Sequence, residues 1–285
     1  MRLARPLLFT SLTLGLIAPA ARAFDGGAWT VGKGEWYSEM QGFRSSASNF
    51  FQSNGDAAAL PDNGRNQSMG ITSYSEIGWK KNLSLSILLP FESHVSSTGA
   101  QTLSVTGLSD LALGLRLRLK ESQPGLVIDA GWKAPLGYEK NLEPTLGNGR
   151  QELFGAAHIG LELPKINGFV QASRGMRFVG ELSDVRINTT ADLAAWIGKR
   201  VLVGGRYFDE GVWSSTSAIS EAPHSYAAGP VLLVRMDERL DLSAGSFYRW
   251  AGHNVDKTMA YYVSVGFRQT RLNRLEGFLG TTKFQ

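Results

Sequence analysis

The feature that most restricts what this chain can become is alternation with a period of two. Leu111, Leu113, Leu115, Leu117 and Leu119 interleave with Asp110, Ala112, Gly114, Arg116, Arg118 and Lys120. A helix would scatter these leucines around its circumference, whereas an extended strand places them on one face and the polar and small residues on the other. The same pattern returns at Leu83, Leu85, Ile87, Leu89 and Phe91, from Val185 to Ile197, and at Met259, Tyr261, Val263, Val265 and Phe267. A soluble sandwich would carry the same alternation, so the connections have to separate it from a membrane barrel.

Short turns at Lys80-Lys81-Asn82, 121–125, 164–168, Gly198-Lys199-Arg200 and Asp237-Glu238-Arg239 alternate with longer polar loops near 45–66, 96–108, 136–150, 211–224 and 251–257, with one short exception near Ser183. That asymmetry belongs to a barrel with short periplasmic turns and long outer loops. Counting strands between the connections gives twelve: 34–44, 67–80, 83–95, 109–120, 126–135, 151–163, 169–182, 185–198, 201–211, 225–236, 240–250 and 258–270. The expected fold class is therefore all-β, a single transmembrane antiparallel barrel. The segment 169–182 fits least well: Arg174 and Arg177 fall on opposite faces, which predicts a bulge or a rim position there.

The amino terminus fixes the expected compartment. Arg2 and Arg5 precede an apolar run from Leu7 to Ala20, and Ala21-Arg22-Ala23 has the small-x-small form of a cleavage site. Two prolines and a length below the ~20 residues of a spanning helix argue against an anchor. We expect residues 1–23 to be removed and residues 24–285 to form one barrel domain in the outer membrane. Without that segment the chain holds 26 basic against 25 acidic side chains, so the high pI gives no support to nucleic-acid binding. With no Cys, disulfides, thiolate metal sites and a lipidated N-terminal Cys are excluded. Trp36, Trp79, Trp132, Trp196, Trp213 and Trp250 lie near predicted strand ends, where amphipathic rings sit at headgroup level.

If the leucine face meets lipid, the opposite face lines the lumen. By that phase the lumen receives Glu39, Glu76, Asp129, Glu162, Asp192 and Asp241 together with Arg116, Arg118, Lys133, Arg186, Arg206, Arg235, Arg249 and Arg268. Asp110 and His158 share it, as do the aromatic residues Tyr37, Tyr74, Phe154, Phe247 and Tyr262. Two readings stand side by side: a polar passage that weakly favours anions, or a salt-bridge network that fills the interior and holds its shape.

Four stretches carry a resemblance: WTVGKGEWYSEMQGF (29–43), YSEIGWKKNLSLSILLPF (74–91), GLSDLALGLRLRL (107–119) and GWKAPLG (131–137). They are similar to the outer-membrane channel-like proteins associated with the meta-cleavage pathway of phenol degradation, and cover the first half of the mature chain. The resemblance implies a transporter-type barrel that admits small, aromatic or hydrophobic compounds. Two features depart from it. Ser109 stands before Asp110 where members carry Gly-Asp, and the chain runs on past its last strand with RLNRLEGFLGTTKFQ, ending Phe284-Gln285 where many such barrels finish on an aromatic residue.

Three constellations bear on chemistry. His94 and Ser96, two apart on one strand, resemble the His-x-Ser pair of outer-membrane phospholipase and deacylase barrels, but their phase turns them inward and the sequence offers no Asn or acid at matching spacing to orient the imidazole. His158 with Glu152 and Glu162 would spread over ~13 to 20 Å of strand, too far for one ion. Gly204-Gly205 precedes no helix and makes no phosphate loop. We therefore expect no cofactor and no metal. The partners expected are outer-membrane lipid, the barrel-assembly machinery and a small-molecule solute, with no nucleic acid. The function expected is a passive channel or uptake pore. Its rivals are a non-transporting scaffold barrel and a lipid-modifying enzyme.

Overall fold

The computed structural model describes residues 27–99, 101–120, 122–138, 144–147, 149–180, 184–214 and 223–269. The export segment with its cleavage site, the tail from 270, the connection at Ser183 and most of the 211–224 loop lie outside the described residues.

The chain runs as β1 (Trp36–Phe51), β2 (Ala57–Ala59), β3 (Arg65–Lys80), β4 (Leu83–Thr98), β5 (Gln101–Leu108), β6 (Asp110–Lys120), β7 (Gly125–Pro135), β8 (Glu152–Leu163), β9 (Gly168–Val179), β10 (Asp184–Ile197), β11 (Val201–Ser214), β12 (His224–Arg235), β13 (Leu240–His253) and β14 (Val255–Gln269). Each barrel strand pairs antiparallel with its sequence neighbour, and β14 closes on β1 from Trp36↔Gln269 to Phe51↔Val255. Closure removes the free edges that lipid could not satisfy.

The closed sheet has twelve strands, because β2 is a short flap on β1 and because β5 and β6 are two halves of one strand. β4 pairs with β6 in its lower half, Leu83↔Leu117 to Leu88↔Ala112, and with β5 above, Phe91↔Leu108 to Thr98↔Gln101. Between the two ladders the register moves by one residue, so Ser109 and Asp110 both turn inward, as at a β-bulge. Pro90 sits opposite this break, and its carbonyl accepts the Ser109 N–H at 3.0 Å.

Outward residues are apolar and exposed while the charges are inside, the inverse of a soluble sandwich. Val263 is 64% exposed and Leu115 47%, against 0% for Glu76 and 3% for Arg116. The leucine face of β6 therefore points out of the barrel. Trp36 and Trp79 mark the turn end of the outer face, and Trp132 and Trp250 the loop end, all four exposed. Trp196 corrects the expectation of a belt position: it lies inside, packed on the interior apolar clusters with the Arg235 guanidinium 4.6 Å from its ring centre.

The strands outrun the predicted spans mainly at the loop end. The regions 45–66 and 96–108, expected as loops, are largely extended ladder, and β13 meets β14 through a turn at Asn254, which takes a left-handed φ of 51°. Ser, Thr and Asn are frequent there and the hydrophobic face is sparse, reduced on β5 to Leu103, Val105 and Leu108. The bulge expected in 169–182 is absent: β9 pairs without a register shift on both sides, Arg177 turns in and Arg174 points out.

Candidate functional site

The interior is built from four parts. The first is the segment ahead of β1, which period-two reasoning did not place. Residues 27–31 pass through the lumen at the turn end. The Gly27 carbonyl accepts a bond from Arg116 Nη2 at 2.6 Å, the Ala28 N–H donates to Gln171 Oε1 at 3.2 Å, and the Val31 N–H donates to Glu76 Oε1 at 3.2 Å. Those partners stand on β6, β9 and β3, so the segment is held from separate parts of the wall. The Trp29 ring lies edge-on to Phe169 at 5.5 Å. Room for the backbone comes from glycines, since a Cβ at Gly78 would overlap the Gly32 carbonyl and one at Gly160 would press on Ala28 and Trp29.

The second part is a set of buried ion pairs. Arg116 is the hub: Nη1 lies 2.6 Å from Glu76 Oε2 and Nε 3.1 Å from Asp129 Oδ1. His158 Nε2 meets the other Asp129 oxygen at 2.8 Å, and Tyr74 and Ser84 donate to Glu76. Lys133 bridges Asp110 at 2.9 Å and Glu152 at 3.3 Å, and Arg177 joins Glu152 to Glu210. Arg206 grips Asp192, which also accepts from Gln171, while Arg235 and Arg268 share Asp241. Of the remaining candidates, Arg249 is buried and donates to the Asp256 carbonyl. Arg118 donates to the Lys81 carbonyl at the turn rim, and Glu162 lies part-exposed near that rim. Arg186 faces inward two residues below the top of β10 and has no acidic partner among the described residues. Glu39 is buried and accepts from Tyr37 at 2.7 Å.

The third part is an apolar wall of Phe43, Phe169, Leu202, Phe208, Phe247 and Tyr262, with Phe247 stacked on Tyr262 at 5.6 Å. The fourth is a cavity of about 120 Å³, lined among others by Leu88, Ala112 and Phe154 and by Ser173, Asn188 and Thr190, with Gly27 at its edge. At the loop end residues 144–147 lie against the start of β6. Leu146 is buried, its carbonyl accepts from Ser109, and Tyr138 donates to Asp110. Burial and that bond to Asp110 push the Tyr138 hydroxyl above its ordinary pKa.

The pair His94–Ser96 is not assembled. His94 Nδ1 lies 2.7 Å from Ser68 Oγ and its Nε2 3.1 Å from Glu92, while Ser96 donates to Asn66. The acid missing from the sequence pattern is two residues before the histidine, and the hydroxyl comes from the neighbouring strand, which only the β3–β4 register reveals. His158 and Glu152 are engaged with different partners, and among the described residues no three acids or histidines gather as for a metal ion.

No protein-family model matches the chain, and no curated relative was found. Solved structures do resemble it. An outer membrane channel from Pseudomonas putida F1 superposes with a TM-score of 0.72 at 15% identity, over 86% of this chain and 98% of that one. The translocator domain of the autotransporter NalP from Neisseria meningitidis gives 0.53 at 11%, over 88% and 94%. The NanC porin gives 0.52 at 10%, over 81% and 100%. At these identities the likeness is one of fold: a closed twelve-strand barrel.

Proposed function

We propose that the chain is a passive outer-membrane channel for small solutes that carry an aromatic or apolar body and a single negative group. The observation that carries this reading is a cavity inside a barrel that elsewhere holds paired charges and aromatic rings. At about 120 Å³ it is of the same order as the ~150 Å³ apolar cavity that takes up benzene. Leu88, Ala112 and Phe154 give it an apolar portion, and the rest of its lining is polar, with Ser173, Asn188 and Thr190 beside the paired charges of Lys133, Glu152, Arg177 and Arg206. Among the proposed lumen residues, the paired cations brace the wall. Arg186, near the mouth and without an acidic partner among the described residues, is a cation placed to attract an anion. Support also comes from the outer membrane channel of Pseudomonas putida F1, whose fold this chain shares along almost its whole length.

Uptake into liposomes tests the reading. A simple aromatic acid should enter faster than a neutral sugar of similar size, and Arg186→Ala should reduce the acid's advantage while leaving the sugar unchanged. Entry of neither solute above empty liposomes would defeat the channel and leave the scaffold barrel, which the filled interior favours. We read Ser68, His94 and Glu92 as a hydrogen-bonded strut and not as a hydrolase triad, because all three are 5% exposed or less and do not line the cavity.

The mature chain is proposed to begin at Phe24, three residues before the described segment enters the lumen. The intact mass of protein extracted from outer membranes should match residues 24–285, and a mass that includes residues 1–23 would contradict cleavage.

A further inference from the structure

The outer face of the barrel is not uniform. On β3 and β4 it is bulky and apolar, with Ile71, Ile77, Leu85, Ile87 and Phe91 all exposed. On β9 to β11 it is apolar toward both ends, with Val170, Phe178, Leu193, Ile197 and Val203 exposed, but a middle stretch carries small side chains and the charges of Arg174 and Asp209. Arg174 points outward halfway up β9, with Val170 and Ala172 below it and Met176 and Phe178 above. Its ladder partners are Ala157 on β8 and Thr189 on β10, and Thr189 pairs in turn with Asp209 on β11. Thr190 and Phe208, next to Thr189 and Asp209, turn inward, so Thr189 and Asp209 lie on the outer face with Arg174. Among the described residues Arg174 has no ion-pair or hydrogen-bond partner. Two strands, ~9.6 Å, separate it from Asp209. A guanidinium held at that depth against hydrocarbon is costly, and rim charges such as Arg44, followed by Ser46 and Ser48, do not share its position.

We propose that this face is the contact between two copies of the chain, related by a twofold axis along the membrane normal that passes between their β10 strands. Two copies in one membrane share an up–down direction, so when their outer faces meet, β9 of each lies across from β11 of the other. Arg174 of one copy then meets Asp209 of the partner copy, the reciprocal pair forms by symmetry, and the two Thr189 residues face each other at the axis. Arg174 is six residues above the start of β9 and Asp209 eight above the start of β11. On tilted strands that is a height difference of about 5 Å, within reach of an arginine side chain. Asp209 already accepts from His224 at 2.6 Å and retains oxygen lone pairs for a second donor. Ala157, Ala172 and Ala191 leave the surface low around the pair, which lets two sheets approach closely.

Because the chain has no cysteine, single Cys residues introduced on the outer face report contact without background. Thr189→Cys protein in outer membranes, treated with a short bis-maleimide suited to sheets ~10 Å apart, should give a species of twice the monomer mass. Ile87→Cys, outward on β4, should not. Adding Arg174→Asp to Thr189→Cys should lower the cross-linked fraction about tenfold, a change equivalent to about 1.4 kcal/mol. Adding Asp209→Arg to that variant should restore it. Heat-dependent gel mobility identifies the folded fraction of each variant, and the mass of the wild-type protein in mild detergent gives a measurement that needs no substitution. Cross-linking at Thr189 no greater than at Ile87 would overturn the proposal and assign the face to lipid. So would cross-linking indifferent to the charge at position 174, or a monomer mass for the wild type.

Discussion

Arg116→Leu should destabilise the barrel by about 3–5 kcal/mol, the range for removing one partner from a buried ion pair. The sequence pattern alone ranks this change as mild, since it removes a charge from the lumen and adds apolar bulk. The contacts reverse that ranking. Arg116 is 3% exposed and sits between Glu76, itself fully buried, and Asp129. Leucine would leave both carboxylates without their cation and the Gly27 carbonyl without its donor. Tyr74, Ser84 and the Val31 N–H still reach Glu76, and His158 still reaches Asp129, which limits the loss but replaces no guanidinium. Leu115→Arg, on the lipid side of the same strand, should cost about 2–4 kcal/mol. The two neighbours would thus both be damaging, for opposite reasons. Equilibrium unfolding in urea from lipid vesicles, followed by tryptophan fluorescence, measures each. A triple change of Arg116→Met, Glu76→Gln and Asp129→Asn should recover much of the Arg116→Leu loss, because stranded charge and not lost contact is its main source. An Arg116→Leu protein as stable as wild type would remove the hub from the account.

How far the sequence reaches can be judged at particular residues. Leu111 to Leu119 betray a strand and its outward face, because lipid on one side and a polar interior on the other impose a strict period of two. The same logic orders the charges on β7, β10 and β13 along the inner face. It says nothing about partners, since Arg116 finds Glu76 across a register that only the β3–β4 and β4–β6 ladders define. It is also silent where there is no period to read. β5 carries Leu103, Val105 and Ser104 in weak alternation and reads as loop. Residues 27–31 form no strand, so no alternation marks their place in the lumen. A signal existed, though not a periodic one: Gly78, Gly125 and Gly160 cluster at the turn ends of β3, β7 and β8, where side chains would otherwise close the space that the segment fills. Arg174 is the instructive misfit. It breaks the outward apolar pattern of β9 without a bulge to excuse it, and a residue that violates the local rule in a regular ladder calls for a partner outside the ladder.

Deleting residues 27–31 should turn a narrow, selective passage into a wider, less selective one. The five residues cross the turn end of the lumen and are tied to Arg116, Gln171 and Glu76 on separate strands, with Trp29 edge-on to Phe169. Twelve strands enclose a bore intermediate between eight-stranded barrels filled by side chains and open sixteen-stranded porins, so one inserted segment decides how much of it is free. Without the segment, the 120 Å³ cavity beside Gly27 should join the space at the turn end. Single-channel current across a planar bilayer should rise several-fold over wild type, and the preference for an aromatic acid over a neutral sugar should fall together with it, because sieving and cavity contact are lost in the same step. The barrel wall should survive: the deletion removes three hydrogen bonds and the burial of Ala28, Trp29 and Val31 but breaks no strand pairing, so heat-dependent gel mobility should remain. A folded deletion protein with unchanged current would mean that the constriction lies elsewhere, at the mouth where Tyr138, Leu146 and Ser109 close over Asp110. Substitution of Tyr138 by alanine would then have to open what the deletion did not.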